Sequence, residues 1–264
     1  MPEGHTVHRL AGIHADRFAG RPVRVGSPQG RFSEGAGLVD GRVLERTEAY
    51  GKHLLHFYDV DLAVHVHLGI YGVFEEQAVP MDPPRGQVRM RMVGTGFGTD
   101  LRGPTRCEVI DEAAVGALRA RLGPDPLRDD ADPERAWRRI ARSRAPVGGL
   151  LMDQSVVAGV GNVYRAEVLF RQGIDPLRPG RSLRRAEWDA LWSDLVALMA
   201  VGVTAGGIVV VRGEHDHGDP AYAAGKPRTY VYRRAGSPCR VCGTTVLHTV
   251  LQGRNLFWCP GCQR

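Results

Sequence analysis

Four cysteines in the last 26 residues constrain this chain more than any other feature: Cys239-x2-Cys242-x16-Cys259-x2-Cys262. Each pair chelates one metal ion from a tight turn, and the 16 residues between the pairs fit an out-and-back hairpin. Pro238 and Gly243 flank the first knuckle, while Pro260 and Gly261 lie inside the second. Four thiolates close a tetrahedron, so the spacing predicts one structural Zn2+ with no open position for catalysis. The fifth cysteine, Cys107, reads as a single buried thiol. An odd count in a chain of this length argues against a disulfide scaffold.

The cysteine-bearing segment is also where the charge lies. From Lys226 to Arg264 there are seven basic residues and no Asp or Glu, while the formal charge of the whole chain is +6. Residues 1–225 therefore stand at −1. Positive charge concentrated in this way favours a polyanionic partner. Only Lys52 and Lys226 are lysines, so a reaction that needs a titratable amine has few candidates. The 264 residues, 43% apolar and 24% charged, suit a soluble globular protein of one large or two to three small domains. No run of about 18 apolar residues is present, and MPEGHTVHRL lacks the charged-then-apolar layout of a secretory signal. A cytoplasmic protein with no membrane contact is expected.

Periodicity divides the chain into three parts. Residues 3–18 repeat apolar positions at helical spacing (Val7, Leu10, Ala11, His14, Phe18). Residues 22–110 read as short strands: 54–68 as two strands joined at an Asp59–Asp61 turn, and 86–93 as a half-buried strand. After Cys107 the pattern is helical, with stop chemistry at Gly123-Pro124 and a start at Asp132-Pro133. Ser182 reads as the cap of a long helix whose stripe is Trp188, Leu191, Trp192, Leu195, Leu198 and Met199. Residues 202–226 read as a long loop.

Several residues carry chemistry. Pro2 follows a Met1 that aminopeptidase removes, which leaves a secondary amine. A chain-terminal amine has a pKa of about 7.7–8.0, far below lysine, so it is a nucleophile at neutral pH. On an aldehyde-level carbon it forms an iminium, an electron sink, and the adjacent Glu3 offers a proton. Lys52 follows a glycine at a strand entry. In DQSVVAGVGNVYRAEVLF (153–170), two helical segments are interrupted at Ala158–Gly161, with Asn162 at the second N-cap, where helix-start amides attract phosphate. The hairpin 248–259 carries Arg254 outward at a Gln252–Asn255 tip. His65-x-His67, and His215-x-His217 beside Glu214, Asp216 and Asp219, read as ordinary histidines without a complete metal site.

These pieces occur together and in family order, and the whole chain resembles the formamidopyrimidine-DNA glycosylase / endonuclease VIII family of base-excision repair enzymes. The carriers are MPEGHTVHRL, Gly51-Lys52, DQSVVAGVGNVYRAEVLF, and the four-cysteine pattern with Gln252-Gly253-Arg254. The resemblance implies a multidomain α+β fold. Its parts are an N-terminal β-sandwich catalytic domain (1–112), a helical domain with a helix–two-turn–helix (113–225) and a zinc ribbon (226–264). It further implies a monomer that binds damaged double-stranded DNA between these parts and is nucleoid-associated through that DNA. The damaged nucleotide is flipped out; Pro2 attacks C1′, Glu3 donates a proton, and the strand is cut by β-elimination with δ-elimination as a further step. By motif position Lys52 contacts phosphate and assists proton transfer, Asn162 and Arg254 clamp flanking phosphates, and Glu167 has a supporting role.

Departures from the pattern bear on substrate. The 8-oxoguanine-directed branch carries an Arg-Arg-Phe segment where this chain reads DLRGPTRCEV (100–109), and a lysine where it has Gly148. Both departures place the chain on the endonuclease VIII side, which favours oxidised pyrimidines. That side commonly fills the void with Gln-Leu-Tyr; here Gly69-Ile70-Tyr71 stands there, so Ile70 and Tyr71 are the candidates. Two rival readings are a non-catalytic zinc-ribbon nucleic-acid-binding protein and a metallohydrolase built on the histidine clusters.

Overall fold

The alternating segments of the N-terminal half form nine strands in two antiparallel sheets in a computed structural model that describes residues 2–218 and 221–264. Met1 and Asp219, both named above, lie outside the described residues. The chain divides into two compact units, residues 1–121 and 122–264.

The first unit opens with helix α1 (Gly4–Phe18), which buries Val7, Ala11, His14 and Phe18 on one face. Strands β1 (Arg21–Pro22) and β2 (Arg24–Gly26) lead to helix α2 (Ser33–Val39), an element that the reading of 22–110 as strands did not contain. Seven strands follow: β3 (Val43–Tyr50), β4 (His53–Tyr58), β5 (Leu62–His67), β6 (Val73–Ala78), β7 (Val88–Val93), β8 (Phe97–Arg102) and β9 (Arg106–Asp111). One sheet has the order β1-β3-β4-β5-β9, the other β2-β7-β8-β6. Residues of both sheets and of α1 share one apolar core, including Leu54, Val64 and Val66 from the first sheet and Met90, Met92 and Leu101 from the second. This is the β-sandwich. The alternation in 86–93 is realised as expected, with Val88, Met90 and Met92 buried and Arg89 and Arg91 on the other face. Helix α3 (Glu112–Arg121), grouped above with the helical part, packs on β5 and β9 through this unit.

The second unit is helical and then metal-binding in character. Helix α4 (Pro133–Ile140) starts as its sequence dictates: Asp132 accepts a hydrogen bond from the Glu134 amide at 3.0 Å, with Pro133 in the first turn. The helix–two-turn–helix consists of α5 (Val147–Leu150), turns over 151–161, and α6 (Asn162–Arg171). Residues 153–157, expected to be helical, are turns, because the Asp153 carboxylate takes the Ser155 amide at 2.9 Å and its hydroxyl at 2.6 Å. Helix α7 (Arg185–Ala205) starts two residues later than a Ser182 cap suggests, with Arg184 at the N-cap. The reason is a capping interaction in which the Arg184 amide donates to Glu187 Oε2 at 2.7 Å, while Ser182 ends a short 3-10 turn.

By length and composition α7 is apolar enough to cross a membrane. Its stripe is a core stripe, however: Trp188, Leu191, Leu195, Leu198 and Met199 pack with Tyr164, Val168 and Leu169 of α6. Asp194 on α7 meets Arg171 of α6 in a two-pronged ion pair at 2.7 and 2.8 Å. Strands β10 (Leu247–Leu251) and β11 (Arg254–Trp258) close the chain as a hairpin. The turn itself is Gln252-Gly253, both left-handed (φ 50 and 71), which matches the twist of a two-residue hairpin. Arg254 is therefore the first residue of β11 rather than part of the tip.

Candidate functional site

Pro2 stands immediately before α1, half-buried, and Glu3 occupies the N-cap position of that helix with its side chain fully buried. The Glu3 carbonyl accepts the Thr6 amide at 3.0 Å. His5, next in line, is held neutral: burial lowers its pKa to about 4.

Lys52 lies in the two-residue turn between β3 and β4, where Tyr50 pairs with His53 and Gly51 takes the left-handed conformation (φ 60). Beyond the next hairpin comes the connection Leu68–Gly72, closed by the Gly72 amide on the Leu68 carbonyl at 2.9 Å. It lifts Ile70 and Tyr71 into solvent, 53% and 83% exposed. Gly69 in this loop is left-handed (φ +66), and a Cβ there would lie 1.8 Å from Thr105 Oγ1. No larger side chain fits, so the third void-filling contact of the family triplet has no place here.

In the second unit Asn162 is the first residue of α6, and Gly161, not Asn162, is the N-cap. Its side chain is buried, and Nδ2 donates to the Asn255 carbonyl at 2.9 Å. The buried Arg165 donates to the same carbonyl at 2.8 Å and to Asn162 Oδ1. The start of α6 is thus fastened to β11 one residue after the exposed Arg254, which brings two of the expected phosphate contacts into one place. Gly148 lies beneath: a Cβ there would be 3.0 Å from the Pro176 carbonyl, tight for any side chain.

Glu167 is buried in the same unit and accepts three backbone amides, from Tyr230 at 2.6 Å, Val231 at 3.0 Å and Tyr232 at 2.8 Å. Burial pushes its carboxyl up and outweighs the amides, which pull it down. Its direct work is to tie α6 to the chain that leaves the long 206–228 segment.

Cys239, Cys242, Cys259 and Cys262 gather their sulfurs within 4.8 Å of one another. The pairs Cys239–Cys262 and Cys242–Cys259 are 3.8 and 3.5 Å apart. A tetrahedron with Zn–S bonds of about 2.3 Å requires S···S separations of about 3.8 Å, so the donor set fits one structural Zn2+. Among the described residues no other group of three or more ligating side chains is close enough to share an ion. His215 is instead bonded to Tyr230 Oη at 2.9 Å, and Asp216 to Arg228 at 2.7 Å. His65 and His67 do acquire a third histidine, His53, which the sequence reading left out. The signal for it was present: a hairpin centred on Val60 sets His53 opposite His67.

The formamidopyrimidine-DNA glycosylase N-terminal domain matches residues 1–107, the H2TH domain of the same glycosylase residues 122–212, and the zinc finger found in FPG and IleRS residues 236–264. Endonuclease 8 1 of Mycobacterium tuberculosis is 63% identical over 267 residues, covering 100% of both chains. Formamidopyrimidine-DNA glycosylase of Methylococcus capsulatus is 32% identical over 272 residues, covering 100% of this chain and 99% of that one. Among solved structures, Lactococcus lactis Fpg with abasic-site DNA superposes with a TM-score of 0.81 at 20% identity, covering 99% of each chain.

Proposed function

Since the chain belongs to the formamidopyrimidine-DNA glycosylase family, we propose that it is a bifunctional DNA glycosylase and AP lyase acting on oxidised bases in double-stranded DNA. The observation that carries this reading is the pairing of Pro2 with a fully buried Glu3 at the start of α1. Once Met1 is removed, the Pro2 nitrogen attacks C1′ of a flipped nucleotide, the glycosidic bond breaks, and Glu3 supplies the proton that opens the sugar ring. The resulting iminium acidifies the C2′ hydrogen; its loss expels the 3′ phosphate, and δ-elimination removes the 5′ phosphate in turn. Lys52, Asn162 and Arg254 bind phosphates, Ile70 and Tyr71 fill the vacated stack, and Glu167 supports the site by anchoring residues 230–232. The segments 1–112, 113–225 and 226–264 divide this work into chemistry, backbone grip and metal-stiffened support.

Oxidised pyrimidines are the preferred substrates. Gly148 leaves little room for the lysine of the 8-oxoguanine branch, and the 100–109 stretch lacks its wedge phenylalanine. The endonuclease 8 relative is consistent with this choice. The protein works as a monomer on the chromosome, in the cytoplasm. A zinc-ribbon protein without catalysis would have no use for a buried glutamate at a processed N-terminus.

Borohydride trapping on duplexes with single defined lesions tests the reading. The processed protein should be covalently linked to abasic and oxidised-pyrimidine DNA, with mass spectrometry placing the adduct on residue 2. Retention of Met1 should abolish trapping, and Glu3→Gln should spare binding while removing most base excision. An adduct on Lys52 or Lys226 would overturn the assignment.

A further inference from the structure

The function above makes no use of three histidines that share one face of the five-stranded sheet. Strand register brings them together: His53 of β4 faces His67 of β5, and His65 faces Glu108 of β9. The alternate residues Leu54, Val64 and Val66 face the sandwich core, so the histidines lie on the opposite side, toward α3. Their side chains are joined in one direction. His65 Nδ1 is 3.0 Å from Glu108 Oε1, and His65 Nε2 is 2.8 Å from His53 Nδ1.

Proton positions follow from that order. An ionised carboxylate only accepts, so His65 keeps its proton on Nδ1 and offers a lone pair at Nε2. His53 must then donate from Nδ1, which leaves its Nε2 as a lone pair. Arg106 donates to the same Glu108 oxygen, Oε1, at 3.1 Å. Burial works to raise the Glu108 carboxyl, and the bonds from His65 and Arg106 outweigh it and keep it below its ordinary value. His67 is set separately, since the Gly69 amide donates to its Nδ1 at 3.2 Å.

His53 directly follows Lys52 in the tight turn, and the surroundings oppose a second positive charge there. The charged and titratable groups around it are Lys52 and Tyr50 on its hairpin, Glu48 of β3 held by Arg119, His65 and His67 of β5, Arg106 and Glu108 of β9, and Arg119 and Arg121 of α3. Burial, then His65, His67, Arg121 and Arg106, lower His53 to about 3. Burial lowers His65 despite Glu108, and burial, His65 and Lys52 lower His67.

We propose that Glu108, His65 and His53 are positioning residues for Lys52: the hydrogen-bonded chain pins the residue after the lysine across to β5. Lys52 then meets a backbone phosphate from a fixed turn, with no competing cation at the next position. Glu108 is essential because it fixes the tautomer; without it His65 can turn an N–H toward the N–H of His53 and break the link. The inference rests on the reading of Lys52 given above and adds three residues to it.

The test is single-turnover cleavage of an abasic duplex across pH 5 to 8.5, with His65→Ala, His65→Gln and Glu108→Ala. In His65→Ala, His53 loses the second-largest of the influences that lower it, burial remaining the first, so cleavage should fall severalfold more steeply than wild type between pH 7.5 and 5.5. Glu108→Ala removes a negative charge and leaves His53 uncharged, so the new acid limb should appear in His65→Ala and not in Glu108→Ala. Glutamine can donate to Glu108 and accept from His53 without titrating, so His65→Gln should restore the wild-type profile. In a Lys52→Ala background, His65→Ala should add no acid limb. A uniform loss at every pH, or a limb that persists without Lys52, overturns the relay. Failure of the wild type to trap on borohydride would instead overturn the lyase reading, so the two failures are separable.

Discussion

The two units hide their polar groups by different chemistry. The first buries four imidazoles, His5, His14, His56 and His65, and the second buries none among its described residues. In the second the interior polar groups include Asn162, Arg165, Glu167 and Gln263, each bonded to backbone, alongside four thiolates that need a metal. The His14–His56 pair shows the first strategy at its plainest: Nδ1 and Nε2 meet at 2.9 Å inside a wall that includes Phe74, and His14 Nε2 and His56 Nδ1 have no partner among the described residues. Neutral imidazoles tolerate this; charged ones do not. The first unit thus adds buried neutral imidazoles to its buried carboxylates, Glu3 and Asp100, and is sensitive to acid, whereas the second depends on four thiolates and is sensitive to metal loss.

Metal removal should split the two most sharply. Structural zinc contributes an apparent ~10–16 kcal/mol to its site at neutral pH, as much as a typical domain's whole stability. Cys259→Ser or a strong chelator should therefore unfold the β10–β11 hairpin and the cluster it forms with Val163, Ala166 and Phe170. Hydrogen exchange should show fast exchange at 229–264 and unchanged protection in β4 and β5. Loss of protection in both units would show that they fold as one, and the contrast would fail.

Acid should act the other way. His56 has an ordinary pKa of 6.5 unfolded and about 4 in the fold, through burial. The neutral form is the native one, so its stability is present above pH 6.5 and is lost as pH falls toward 4. A fully buried imidazole with that shift contributes about 3 kcal/mol across the window, and His14 is lowered in the same sense, by burial first. With zinc in excess, β4 protection should drop between pH 7 and 5, and His14→Leu/His56→Leu should remove most of that drop. A drop that survives the double variant would assign acid lability to another group.

What could be read from sequence follows the same divide between local and distant causes. Helix α1, the 53–67 hairpin, the Asp132 cap and the metal spacing are each specified within about 20 residues, and the expectations for them hold. Asn162 was misplaced by one position because the glycine before it takes the cap, a choice that Arg165 and Asn255 impose from a helical turn away and from another strand. Glu167 has partners 63 to 65 residues further along, and His65 a carboxylate 43 residues away. No periodicity reports such pairings. They appear only once strand register and the packing of α6 are known.

The smallest expected effect sharpens the contrast within the DNA grip itself. Arg254 is exposed at the start of β11, while Asn162, fastened to the neighbouring Asn255 carbonyl, is buried and neutral. If both serve the backbone, they should do so differently. A charged contact displaces a counterion, so Arg254→Ala should reduce the slope of log K against log salt by about 0.9 on duplex DNA. Asn162→Ala releases no counterion and should leave the slope near wild type, yet weaken binding at every salt, because Arg165 loses one of its partners, the Asn162 bond to the Asn255 carbonyl is gone, and the junction of α6 with β11 loosens. Base readers change sequence preference, and backbone contacts do not. Salt titrations on two unrelated duplexes carrying the same lesion should therefore give equal Arg254→Ala losses on both. An unchanged slope with altered sequence preference would make Arg254 a base reader and remove it from the clamp.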